Sequence, residues 1–62
     1  MKGVHLGIVW EIRPGITHMG GFSVYAEWNG EMQRVGWSSN KSGAVRMAKE
    51  RAKHYAERMN GQ

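Results

Sequence analysis

The dipeptide Asn29-Gly30 constrains this chain more than any other pair of residues. It suits the two consecutive positive φ angles of a type I′ turn, and it lies between two runs with strand character. Upstream, Gly21-Phe22-Ser23-Val24-Tyr25-Ala26-Glu27-Trp28 alternates, with Phe22, Val24, Ala26 and Trp28 on one side. Downstream, a strand from Glu31 to about Trp37 must return antiparallel. A two-residue turn fixes the register, so Trp28 is expected to face Glu31, Ala26 to face Gln33, Val24 to face Val35 and Phe22 to face Trp37. That set predicts the core, including Trp10, Phe22 and Trp37. On the other face Tyr25 should meet Arg34, Glu27 should meet Met32 and Ser23 should meet Gly36.

A further alternating run, Val4 to Arg13, places Val4, Leu6, Ile8, Trp10 and Ile12 on the apolar side and His5, Val9, Glu11 and Arg13 outward. It stops at Pro14-Gly15, and residues 14–20 carry enough turn formers to read as a hairpin loop containing His18. Ser38-Ser39-Asn40 supplies N-cap chemistry. Beyond it the spacing changes to Ala44, Val45, Ala48, Ala52, Tyr55, Ala56 and Met59, an apolar arc wide enough to lie on a sheet. Asn60-Gly61 is a C-cap signal. The predicted fold class is α+β: a three-stranded antiparallel β-meander (about 4–13, 21–28 and 31–37) under one C-terminal α-helix (about 40–59), a single domain over 1–62.

Composition narrows the chemistry. With 62 residues there is room for one thin core. Cysteine is absent, so there is no disulfide or thiolate metal site, and a reducing, cytoplasmic setting is the expectation. The five acids are all Glu, which leaves little for paired-carboxylate catalysis, and no enzyme activity, metal or cofactor is expected. His5, His18 and His54 lack metal-ligand spacing. No apolar run approaches a membrane span and no targeting segment is read at the start of the chain.

The charge is uneven. Residues 1–31 hold two cations against three glutamates, whereas residues 32–62 hold seven against two. A positive field of this kind attracts nucleic acid, anionic lipid headgroups or an acidic protein face. Two groups of residues are candidates for nucleic-acid contact. On the outer sheet face, Arg13, Tyr25 and Arg34, with Ser23 beside them, combine long donors with an aromatic ring that can enter a groove or stack on a base. On the helix, Lys41, Arg46, Lys49 and Lys53 are candidates for phosphates, with Arg51 and Arg58 flanking the apolar stripe on its other side.

The pattern Gly21-Phe22-Ser23-Val24-Tyr25, Asn29-Gly30, Arg34-Val35-Gly36-Trp37, then Ala44, Ala48 and Ala52 resembles the arm-type DNA-binding domain of lambda-type phage integrases. It is similar also to the related domain of plant ethylene-response factors. The resemblance covers about residues 4–56. It implies a three-stranded sheet on a C-terminal helix, with the outer sheet face in the DNA major groove and Arg13, Tyr25 and Arg34 toward it. The chain departs from the first family in lacking a basic N-terminal arm and in carrying Glu11 and Glu27 on the same face. Gly15-Ile16-Thr17-His18, Phe22-Ser23-Val24, Asn29-Gly30 and the Lys41-to-Lys53 helix are similar in order to the C-terminal part of double-stranded-RNA-binding domains, which implies duplex RNA as the second nucleic-acid expectation. The rival class is a protein-interaction module, such as a phage-type accessory or inhibitor protein on an acidic partner. An exposed edge strand also offers a route to a homodimer.

Overall fold

Four strands, rather than three, precede the helix: β1 (Lys2–His5), β2 (Ile8–Pro14), β3 (Phe22–Trp28) and β4 (Glu31–Ser38), followed by α1 (Lys41–Met59). The computed structural model describes residues 1–15 and 20–59. All neighbours are antiparallel and the sheet order is β1-β2-β3-β4, so the meander is regular and β1 and β4 are its edges. The predicted α+β class holds, with one strand more than expected. The contacts of His18 and the C-cap at Asn60-Gly61 lie outside the described residues.

The extra strand comes from splitting the run 4–13. Leu6 and Gly7 take φ of 53° and 80°, positive at both central positions of a two-residue hairpin, as do Asn29 and Gly30 at 53° and 83°. The turn shifts the alternation by one residue, because His5 now pairs with Ile8 and Val4 with Val9. Val4 and Leu6, expected in the core, are consequently 66% and 61% exposed. His5, expected outward, shares the helix-facing side with buried Ile8 and is half-buried.

A second correction lies in β4. The register follows the predicted pairs from Trp28 opposite Glu31 to Tyr25 opposite Arg34, then slips, so that Val24 faces Gly36, Ser23 faces Trp37 and Phe22 faces Ser38. Val35 is the extra residue of a β-bulge. Val35 and Gly36 both lie toward the helix, where Met47 fills the space that a Cβ at Gly36 would need. Trp37 moves to the outer face beside Ser23, instead of sitting opposite Phe22 in the core.

The core forms between the inner sheet face and one helical stripe. Ile8, Trp10, Ile12, Val24 and Ala26 meet Ala44, Ala48, Ala52 and Ala56, all buried. Four alanines at i, i+4 spacing make a smooth ridge that lets the helix approach β2, β3 and β4 closely. Phe22, Val45, Met47 and Tyr55 pack around this core, whereas Met59, expected on the stripe, is 64% exposed at the helix end. Asn40 is the N-cap: its Oδ1 accepts from the Gly43 amide at 2.7 Å and from the Ser42 hydroxyl at 3.1 Å.

Candidate nucleic-acid interface

The outer sheet face is assembled by cross-strand pairing. One row runs Lys2, Glu11, Tyr25 and Arg34 across β1 to β4, and the next runs Arg13, Ser23 and Trp37 across β2 to β4. Alternation turns these side chains away from the helix, because their neighbours Trp10, Ile12, Val24 and Ala26 are buried beneath it. Lys2 and Trp37 were not anticipated on this face. The signal for Trp37 was Gly36, since a glycine inside a strand often marks a bulge.

Arg13 is the best-held cation of the molecule. Its guanidinium carbon lies 4.4 Å from the centroid of the Tyr25 ring, and Nη2 donates to Glu11 Oε1 at 3.2 Å. This is the one ion pair among the described residues. The hydrogen bond from Arg13 holds the Glu11 carboxyl below the usual carboxylate range, against the opposing effect of desolvation and with help from the charges of Arg13, Lys2 and the chain's amino group. The Arg13 side chain remains 46% exposed, so most of its five donors are free for a ligand. Arg34 sits across Tyr25 on its other side and is exposed. Tyr25 therefore lies on the strand between the one that carries Arg13 and the one that carries Arg34.

Ser23 behaves differently from its expected partners. Between the longer Arg13 and Trp37 it is 1% exposed, and its hydroxyl has no hydrogen-bond partner among the described residues. It supports the face without presenting a group to solvent. Trp37 is anchored by its indole N–H, which donates to the Gly20 carbonyl at 2.9 Å. The chain runs under that ring at Gly21, with φ of 71°; a Cβ there would come within 2.7 Å of the Ser38 carbonyl oxygen and collide with the indole.

The helix cations are elsewhere. Lys41, Arg46, Lys49 and Lys53 are all exposed, but the helix covers the inner face, so they belong to the layer opposite Arg13, Tyr25 and Arg34. The structure thus joins three of the eight candidate residues into one surface, buries Ser23 beside them, and leaves four on the other side. At the helix N-terminus the Asn40 cap already engages the Gly43 amide, and Ser38 Oγ accepts from the Asn40 amide at 3.4 Å. Among the described residues no group of three metal-ligating side chains converges, and no helix is long and apolar enough to cross a membrane. Comparison with protein-family models, characterised proteins and solved structures gives no match to this chain.

Proposed function

We propose that this protein is a small nucleic-acid-binding module, without catalytic activity, that presents the outer face of its sheet to duplex DNA. The observation that carries the reading is the Arg13 guanidinium, stacked on Tyr25 and tied to Glu11, with exposed Arg34 as the cross-strand partner of Tyr25 on β4. Such an arginine loses less conformational freedom on binding than a free one, and its remaining donors suit the paired acceptors of a guanine edge. Strands entering the major groove are an established mode of readout. Lys2, at the end of the same row, reaches toward a flanking phosphate. Lys41, Arg46, Lys49 and Lys53, on the opposite layer, supply a long-range attractive field rather than contacts to the same stretch of duplex.

Fluorescence anisotropy with mixed-sequence duplex DNA, duplex RNA and single-stranded DNA, each at about 50 and about 200 mM salt, tests the proposal. Duplex DNA should bind tightest and weaken with salt. Arg13→Ala and Arg34→Ala should each cost about 1–3 kcal/mol against a preferred sequence and relax that preference. Lys53→Ala should lower affinity slightly and equally for all sequences. Unchanged affinity and preference in both arginine variants would overturn the sheet-face reading.

A further inference from the structure

On the flank of α1 that faces β4, two adjoining hollows of about 500 and 480 Å³ form a continuous groove and share Arg51 and His54. Its floor is apolar: Val35, turned to this side by the bulge, with Met47 and Tyr55, all packed on the core and all partly exposed. Tyr55 is fixed there by Trp28, with ring centroids 4.9 Å apart. Along the helical wall stand Arg46, Arg51 and Arg58, and none of the three has an ion-pair or hydrogen-bond partner among the described residues. Beside the groove runs β4, which among the described residues pairs with β3 alone.

We infer that this groove binds an extended acidic segment of a partner protein, one that alternates carboxylate with apolar side chains. In an extended chain successive residues point to opposite sides, so apolar groups settle on Val35, Met47 and Tyr55 while carboxylates rise to the three guanidiniums. Charge complementarity selects an acidic occupant, and the groove's own chemistry selects peptide over nucleic acid. Glu50 and Glu57 stand among the arginines and would repel an unbroken line of phosphates, whereas discrete carboxylates can be spaced to avoid them. The apolar floor offers a phosphate backbone nothing. This surface is separate from the Arg13–Tyr25 face, and neither reading depends on the other.

The test is fluorescence anisotropy of the full chain with a short labelled peptide alternating Glu with Leu or Val. Two controls accompany it, one with Gln in place of Glu and one of Glu alone. Saturable binding of the alternating peptide is expected, with both controls weaker. The double variant Arg51→Glu/Arg58→Glu should lose at least about tenfold in affinity for it, and Arg13→Ala should lose none. Both arginines are exposed, and an unchanged circular-dichroism melt would show that the variant is folded. Should that variant melt early, Arg51→Gln/Arg58→Gln takes its place, with the same loss expected in smaller degree. Equal binding of the all-Glu peptide, wild-type binding by the folded charge variant, or absence of peptide binding would each overturn the inference. So would a variant that loses duplex DNA and not peptide, which would make the groove part of the nucleic-acid surface.

Discussion

Trp10 on β2 and Trp37 on β4 are the same residue type on opposite faces of one sheet, and the two faces use it in opposite ways. Trp10, on the inner face, is 5% exposed, covers Gly3 of β1 and leaves its indole N–H buried with no partner among the described residues. Trp37, on the outer face, is half-buried, and its N–H is satisfied by the Gly20 carbonyl. The inner ring is held by packing and tolerates a polar loss. The outer ring is held by one directed hydrogen bond over a thin, solvent-facing layer. Stability should therefore reside on the helix side of the sheet, and the outer side should be where changes alter binding more than folding.

The largest effect expected from this contrast is that of Trp10→Ala, at about 3–5 kcal/mol, enough to unfold a domain of this size or bring it close to unfolding. Trp37→Ala should cost less, about 1–3 kcal/mol, while changing nucleic-acid affinity in the folded fraction. Comparable losses in thermal or urea unfolding would break the comparison. The pair Trp10→Phe and Trp37→Phe sharpens it, because the first deletes an unpartnered buried N–H and the second a partnered one. Trp37→Phe should lose the hydrogen bond's share, about 1 kcal/mol, whereas at Trp10 the relief of the orphaned group offsets part of the lost volume. Gly21→Ala should act on the outer ring indirectly. It forces a side chain into positive φ against the indole and the Ser38 carbonyl, so a cost of about 1–3 kcal/mol is expected, together with an altered Trp37 fluorescence.

What sequence reading recovered follows the same division. The Asn29-Gly30 hairpin, the start of its register and the alanine stripe were legible because each rests on local chemistry: a turn that selects its residues, and a helical period that small side chains mark clearly. Leu6-Gly7 was not legible, since leucine rarely takes φ near 53° and the apolar alternation continues through the turn as if the strand were unbroken. The bulge at Val35 was missed for a related reason. Strict period-two counting carries Trp37 to the core; Gly36 was a local hint of a bulge, and the fit of Met47 over it, a contact between distant parts of the chain, favours the extra residue. Arg13, Tyr25 and Arg34 were correctly expected to share a face because Tyr25 and Arg34 pair on the turn side of the slip, and Arg13 lies on β2, whose pairing with β3 has no shift. Placing the helix cations in the same site required knowing which layer each element occupies, and periodicity alone does not carry that information.

Ser23→Ala probes the boundary between the two faces. The hydroxyl is buried without a partner among the described residues, so its removal leaves none of them unsatisfied, and the variant should be as stable as the parent or more stable by up to about 1 kcal/mol. Nucleic-acid affinity should not change, because Arg13 and Trp37 stand between Ser23 and any ligand. A loss of stability in chemical denaturation would mean that the hydroxyl is bonded in solution and that the outer layer is more open than the inner one by a wider margin than the burial indicates.

The smallest effect concerns the one ion pair, Arg13 with Glu11, and it asks whether the outer face is preorganised at all. The Arg13 hydrogen bond depresses the folded-state pKa of Glu11, so the interaction contributes fully above the ordinary carboxylate pKa and is lost as pH falls through the lowered folded value. The unfolded chain takes up its proton first on acidification, which is why any contribution fades only at acid pH. Both groups are on the surface, so the change in overall stability should be slight and further reduced by salt. A carboxyl-carbon NMR titration reads the site directly. The Glu11 midpoint should lie below the ordinary carboxylate value at low salt, and Arg13→Gln should move it upward. An unmoved midpoint would show that Arg13 is not held against Glu11 in solution; its position over Tyr25 would then be one of many, and the outer face would meet a ligand without the fixed guanidinium on which its proposed role depends.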